Sequence, residues 1–438
     1  MRPISALFAC ALTLCVVTVA CAQESSGEAT RNGGSDDASA GRATQECEPL
    51  ATRSPNADHQ RPAFEGQTRA CGVTSGVEYE LTVVASGLDH PWAVEPLPDG
   101  SFLVTERAGD MRFVAADGTI GPPIAGVPEV AARNQGGLLD VALAPDFAAS
   151  RMIYWSYSEP RSGSENATSV ARGVLSADGR RIENVEVILR TLPAYDGGHH
   201  YGSRLAFSRD GHLFVTLGER SRLPEQAQDL DSHLGKVLRI RPDGSVPDDN
   251  PFAGRDDARP EIWSMGHRNI QAATLDAEGR LWTVEHGPRG GDELNLIAPG
   301  VNFGWPAVSY GEQYSGQPIP NSRTQRDGMR QPVYYWDPVI APSGAQWYTG
   351  DAFPEWHNSL FVGAMGQERL VRLEVEVLDE PELAPEAARA RVVAEEHLFA
   401  DQEQRVRDVR QGPDGALYAV TDEVDGQLWK IAPAASSD

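Results

Sequence analysis

Apolar and polar positions along the chain fall into one phrase that recurs. An apolar residue leads into a turn built on Asp-Gly or a substitute, and an apolar strand follows. The copies are LPDGSFLVTE (97–106), LAPDF (143–147) leading to MIYW (152–155), FSRDGHLFVT (207–216), LDAEGRLWTV (275–284), FPEWHNSLFV (353–362) and QGPDGALYAV (411–420). Each predicts a β-turn feeding a strand, with Asp-Gly supplying the positive φ that the turn needs. Repeats of this length made of short strands predict a propeller with one blade per copy. The expected fold is therefore all-β: a six-bladed β-propeller of four-stranded antiparallel blades, over residues 76–438. Forty-three glycines and 31 prolines suit many short strands better than long helices.

The N-terminus follows another pattern. Arg2, the apolar stretch from Ile4 to Ala20 and the small residues after it read as a signal peptide over residues 1–22. Thr18-Val19-Ala20-Cys21 is an imperfect lipobox that would put a lipid on Cys21, whereas Ala20-Cys21-Ala22 reads as an ordinary secretion site. Residues 23–75 are expected to form a flexible tether and an N-terminal extension. The polar stretch 23–46 carries no aromatic residue and little apolar surface to offset the entropy of ordering. Beyond the signal region only Cys47 and Cys71 remain, either as a disulfide or as two free buried thiols.

Charge narrows the partners. A net charge of −25 argues against nucleic acid and against an anionic membrane surface. Contact with a membrane is expected only through an N-terminal lipid, in an exported, periplasmic or cell-envelope protein.

Candidate chemistry lies between the repeats, in segments rich in Gly, His, Arg and Asn: 134–140, 197–205, 266–271, 285–295, 302–306 and 405–410. Arg204, Arg268, Arg405 and Arg407 suggest a local anion site in an acidic chain. Arg405 and Arg407, two apart, share a face if they lie on a strand, and planar guanidinium groups suit carboxylates. A histidine nearby suits proton abstraction near neutral pH. Asp292, Glu293 and a Gly-Pro turn offer hard oxygen ligands for Ca²⁺. Each feature has a plainer reading: His199 and His200 as loop residues, the arginine pair as a solvated face, Asp292-Glu293 as a surface acidic pair.

Together the motifs NQGGLLDVALAPDF, GGHHYGSRLAF, GKVLRIRPDGSVPDDNPF, GHRNIQ, EHGPRGGDELN, NFGWP, IAPSG and RVRDVRQGPDGALYAVTD resemble the soluble quinoprotein aldose/glucose dehydrogenases. That family uses pyrroloquinoline quinone (PQQ) on a six-bladed propeller. The resemblance spans roughly residues 80–433 and leans to the aldose branch, supported by GWPAVSYGEQYSG. It implies His200 as general base and Arg268, also a catalytic group, with Asn269 polarising and contacting the quinone. It implies Gln135 as a cofactor or substrate contact, Tyr314 against the quinone, and Arg405 with Arg407 as the clamp on the cofactor carboxylates. Main-chain oxygens of Gly287 and Pro288 correspond to the Ca²⁺ site that holds the quinone; Glu293 and the main-chain oxygen of Phe303 correspond to a second, structural calcium. Implied partners are an aldose substrate and an external electron acceptor. Two positions depart from the family pattern. A lysine that commonly contacts the cofactor is missing where the strand reads Gly363-Ala-Met-Gly366, with Arg369 nearby. His199 stands where glucose-type members carry Asp. The alternatives are a calcium-dependent propeller lactonase and a propeller binding module without cofactor.

Overall fold

The structure, a computed structural model, describes residues 47–378 and 382–435. The predicted signal peptide, the lipobox cysteine and residues 23–46 lie outside the described residues. Among the described residues the chain forms six sheets, each built on four antiparallel strands running outward in order, one of them with a short fifth strand at its edge. The first blade comprises Pro91–Pro96, Phe102–Glu106, Met111–Val114 and Ile120–Pro123; the second Leu138–Leu143, Met152–Pro160, Asn166–Leu175 and Ile182–Arg190. The third is Gly202–Phe207, Leu213–Leu217, Lys236–Ile240 and Ile262–Met265; the fourth Ile270–Leu275, Leu281–Glu285, Asp292–Leu296 and Tyr334–Trp336. The fifth is Pro342–Trp347, Ser359–Ala364, Arg369–Val377 and Ala390–Leu398. The sixth takes Val406–Gln411, Leu417–Thr421 and Gly426–Pro433 from the C-terminal end, and its outer strand, Tyr79–Leu88, from before the first blade. That exchange closes the ring. The innermost strands contact one another in sequence around it, the last returning to the first. This is the six-bladed β-propeller expected from the repeats.

The repeated phrase has one structural place. In every blade it is the turn from the innermost strand to the second strand, as in Leu97–Ser101 before Phe102–Glu106. The second strands are apolar on both faces because each blade is covered by both neighbours; Phe102–Glu106, Leu213–Leu217 and Leu281–Glu285 are buried throughout. The core accordingly divides into six apolar clusters between neighbouring blades, such as Trp282, Trp347, Leu360 and Val371 between the fourth and fifth.

The described part of the 23–75 segment is packed. Cys47 and Cys71 form a disulfide with Cα atoms 5.0 Å apart. Cys71–Gly72 adds a short parallel strand to the outer edge of the fifth blade, and Ala57 and Gln67 are buried.

Below the mouth, the axis of the ring is filled by charge. Arg204 donates to Asp140 at 3.0 Å, to Gln271 O at 2.8 Å and to Arg407 O at 3.2 Å, and pairs with Asp408 at 3.1 Å. Arg410 lies 3.3 Å from Asp140, 3.3 Å from Asp408 and 3.6 Å from Glu95. These residues come from the innermost strands of the first, second, third and sixth blades, with a backbone link to the fourth. A Cβ on Gly344 of the fifth blade would collide with the Asp408 carboxylate, so the glycine of the IAPSG motif admits the network. One sequence feature read as chemistry is thus structural. Arg204 is held by carboxylates and belongs to no anion site.

Candidate active site

Above the axial network lies a cavity of about 220 Å³, lined by Trp92, Arg107, Gln135, Asn269, His286, Arg405, Arg407 and Asp422 among others. The Trp92 ring separates the two layers: Arg204 stacks on it at 4.1 Å and Arg407 at 5.7 Å. Three arginines face one carboxylate here. Arg407 donates to Asp422 at 2.9 Å, and Arg405 lies 3.5 Å from the same oxygen. Burial alone would raise the Asp422 carboxyl; Arg407, His90, Arg107 and Arg405 together outweigh it and hold the group below its usual value. Burial and the neighbouring cations Arg204, Arg107 and Arg405 lower Arg407 despite Asp422, and its Nε is buried without an acceptor. A buried guanidinium with an unused donor favours an anionic ligand.

Four residues predicted from the sequence line this cavity: Gln135, Asn269, Arg405 and Arg407. His200 is not among the lining residues but adjoins the cavity, next in the chain to its lining residues Tyr201 and Gly202 and bonded to a third, Gln135. Gln135 Oε1 accepts the His200 backbone N–H at 2.8 Å, and Asn269 Oδ1 accepts that of Gly202 at 3.2 Å. His200 has φ 51°, so it lies in a turn rather than in extended chain. That turn separates the two histidines: His200 is buried and His199 exposed. His200 Nδ1 lies 3.1 Å from Glu219 Oε1. A carboxylate there fixes the proton on Nδ1 and leaves Nε2 as the basic nitrogen. Burial, aided by Arg268, lowers the His200 pKa despite Glu219, so the ring is neutral at pH 7.

Arg268 lines a second, small cavity of about 10 Å³ together with Gly287, Pro288, Glu293, Phe303 and Glu285. The residues expected at two separate calcium sites, Gly287 with Pro288 and Glu293 with Phe303, therefore line a single small cavity. Arg268 Nη1 donates to Gly287 O at 2.6 Å and to His286 O at 2.9 Å, while Nη2 reaches the exposed Tyr314 hydroxyl at 3.4 Å. Its Nε, like Arg407 Nε, is buried without a partner. Asp292 does not face this cavity as a ligand. Its carboxylate accepts three backbone N–H groups, from Gly287 at 2.8 Å and from Ile340 and Ala341 at 2.9 Å each. Burial still raises its carboxyl to about 7. Burial raises Glu293 well above its usual value, and repulsion from Glu285 adds to this. Asn295 Oδ1 nearby has no donor. Among the described residues no three His, Cys, Asp or Glu side chains group as a metal site.

His286 joins the two cavities. Its Nε2 donates to Pro342 O at 2.6 Å, and burial lowers its pKa to about 3, so it stays neutral. The lysine missing at Gly366 is not replaced by Arg369, which turns to His397 at 2.7 Å. Met365 lines the wall instead, and Arg107 of the first blade brings a further cation.

The family model for glucose/sorbosone dehydrogenase matches residues 88–430. The chain belongs to this family. Aldose sugar dehydrogenase YliI of Escherichia coli K12 is 43% identical over 356 residues, covering 81% of this chain and 92% of that protein. A crystal structure titled glucose dehydrogenase is 46% identical with a TM-score of 0.76, covering 81% of this chain and all of that one. The PQQ-bound aldose sugar dehydrogenase of Streptomyces coelicolor is 29% identical with a TM-score of 0.64, covering 81% of this chain and 99% of that one. As a member of the glucose/sorbosone dehydrogenase family, the chain is a sugar dehydrogenase, an oxidoreductase.

Sequence reasoning missed Glu219, Glu285 and Asp422, yet a signal for them exists. In four blades an acidic residue ends or follows the second strand: Glu106, Glu219, Glu285 and Asp422. Each reaches back to the chain entering the same blade. Glu106 accepts Asp89 N–H at 2.8 Å, Glu219 meets His200, Glu285 accepts Arg268 N–H at 2.6 Å, and Asp422 meets Arg407. The repeat thus carries its own support for the loops around the cavities, at or just beyond the end of its apolar strand.

Proposed function

We propose that the protein oxidises the C1 hydroxyl of aldoses to lactones, with PQQ and Ca²⁺ as cofactors and an external electron acceptor. The observation that carries this reading is a neutral, carboxylate-oriented His200 beside a cavity with three arginines against one acid. The cavity fits a planar polycarboxylate: Arg405 and Arg407 lie on one wall, Arg107 joins them, and Arg407 Nε lacks an acceptor. The small cavity fits a hard cation in its donor chemistry, with Glu285, Glu293 and main-chain carbonyls. Gly287 O already accepts from Arg268 Nη1, so a cation there would share this oxygen with the guanidinium or displace it.

When bound, the quinone would supply the two-electron acceptor and calcium would hold and polarise it. The chain's own residues supply the rest. His200 Nε2 takes the anomeric hydroxyl proton as hydride leaves C1, and Glu219 stabilises the resulting imidazolium. Gln135 fixes the His200 backbone, so the base does not have to be ordered when substrate arrives. Arg268 places a cation where negative charge grows. Arg405 and Arg407 bind and orient the cofactor carboxylates. The lactonase alternative requires axial carboxylates free to hold calcium, whereas the axial carboxylates here face Arg204 and Arg410.

The test is to add PQQ and Ca²⁺ to apoprotein, then follow dye reduction with aldoses and hydrolysis with lactones. Aldose-dependent dye reduction requiring both additions is expected; lactone hydrolysis alone would overturn the reading. We propose export as well, supported by the apolar leader and the Cys47–Cys71 bond. Mass spectrometry of the mature N-terminus distinguishes a lipid on Cys21 from a free end at Gln23.

A further inference from the structure

The segment 47–75 lies outside the family match, which begins at residue 88, yet it binds two elements, around Gly311-Glu312 and around Asp337-Val339, that are bonded in turn to the Gly287-Pro288 turn of the small cavity. One route runs through the loop that bears Tyr314. Gln60 Nε2 donates to Gly311 O at 3.1 Å, and His59 lies 3.5 Å from Glu312. Glu312 in turn pairs with Arg289 by two backbone hydrogen bonds of 3.0 and 2.9 Å and by a side-chain ion pair. Arg289 directly follows the Gly287-Pro288 turn. Tyr314, two residues beyond Glu312, accepts from Arg268.

The second route runs through residues 337–341. The Asp337 carboxylate accepts the backbone N–H groups of Asn56 and Ala57. Asn56 Oδ1 returns the contact by accepting Val339 N–H at 3.0 Å. The next two residues, Ile340 and Ala341, donate to Asp292, whose other oxygen holds Gly287 N–H. Arg69 adds a hydrogen bond of 2.9 Å to Asp337 O. The Cys47–Cys71 bond closes the segment into a loop across 24 positions, and Cys71–Gly72 anchors it on the fifth blade.

We propose that this disulfide-closed segment is a positioning element of the active site: Asn56 and Gln60, through Val339 and Gly311, fix the Gly287-Pro288 turn and the Tyr314 loop in the conformation that receives the cation and cofactor. The cofactor half of this statement rests on the proposed function; the positioning of the turn does not. Residues that orient metal ligands from behind typically change affinity by ~10- to 100-fold when removed. Loss of positioning is therefore a change in affinity and in local opening, separate from loss of fold.

The experiment compares wild type, Asn56→Ala/Gln60→Ala, and Asn56→Asp, which keeps the acceptor for Val339. Hydrogen exchange of the apoprotein is read in peptides covering 286–292, 311–314 and 339–341. Calcium is titrated by intrinsic fluorescence with PQQ present. The double variant should exchange at least ~10-fold faster in those peptides with the blade strands unchanged. Its calcium half-saturation should rise by ~10- to 100-fold, with recovery in Asn56→Asp. A Cys47→Ser/Cys71→Ser variant should move both readouts the same way. Unchanged exchange in the three peptides, or an equal rise throughout the protein, overturns the proposal. If wild type binds no PQQ, the proposed function fails and the exchange data alone decide the positioning role.

Discussion

Arg407 and Arg410 stand three residues apart in one strand, and they live in opposite electrostatic worlds. Arg410 points into the axial network, where two arginines face Asp140, Asp408 and Glu95, and burial pushes the Glu95 carboxyl up to about 8. Arg407 points into the cavity, where three arginines face Asp422 and one guanidinium N–H has no acceptor. The acids around Arg410 outweigh the cost of burying it and hold it charged, whereas burial and its cationic neighbours lower Arg407. The difference teaches how to tell a structural arginine from a binding one. A satisfied buried ion network fixes geometry; a buried surplus of one sign awaits a partner.

The strongest way to break the comparison is Arg204→Ala. It leaves Asp140 and Asp408 buried without their main cation, and such losses typically cost ~3–5 kcal/mol. Urea unfolding should show this as a lower midpoint with little change in slope. A loss below ~1 kcal/mol would mean that the axis tolerates unpaired charge.

On the cavity side, His200→Gln should keep PQQ and calcium binding yet lose at least ~10²-fold in the reductive half-reaction, read by stopped-flow with an aldose. His199→Gln should cost much less, chiefly in substrate affinity. The sign of the pH effect follows from the lowered His200 pKa. The base is active when unprotonated, so the rate is retained at neutral pH and falls on acidification, with its midpoint below the ordinary histidine value of 6.5. Glu219→Gln removes a group that raises this pKa, so any remaining activity should persist to lower pH.

Arg407→Ala sharpens the contrast further. It should weaken PQQ binding by ~1.5–3 kcal/mol, the usual worth of a charge-assisted hydrogen bond, and should lower stability less than Arg204→Ala does, because Arg405 remains beside Asp422. Arg405→Ala should cost less, because its side chain is 40% exposed and solvent screens it. Equal losses at the two positions, read by titration, would erase the distinction between buried and exposed members of the clamp. Tyr314→Phe is the smallest change. It removes a hydroxyl 3.4 Å from Arg268 on a residue 76% exposed, and its effect on binding should stay under ~1 kcal/mol.

Much of this was legible in order along the chain. The six phrases gave the blades because a turn followed by an apolar strand is a local pattern, set by period-2 burial and turn chemistry. The motif residues His200, Arg268, Asn269, Arg405 and Arg407 were found by resemblance, and the structure brings them around two adjoining cavities. The supporting acids Glu219, Glu285 and Asp422 were not singled out, since an acid after a strand resembles any solvated strand end. Their meaning appears only when the blade folds the strand end back onto its own entry loop.

Sequence alone determined the blade count, the family and the identity of the candidate side chains, because each is a property of residue type and spacing. Tertiary structure decided which arginines are spent and which are available. It moved Arg204 from the expected anion site into the axial network, turned Asp292 from a candidate ligand into an acceptor for three backbone N–H groups, and set the 47–75 segment against the back of the site. The physical reason is the same in each case. The worth of a charge depends on what faces it across a blade boundary, and those neighbours lie tens to hundreds of residues away in the chain.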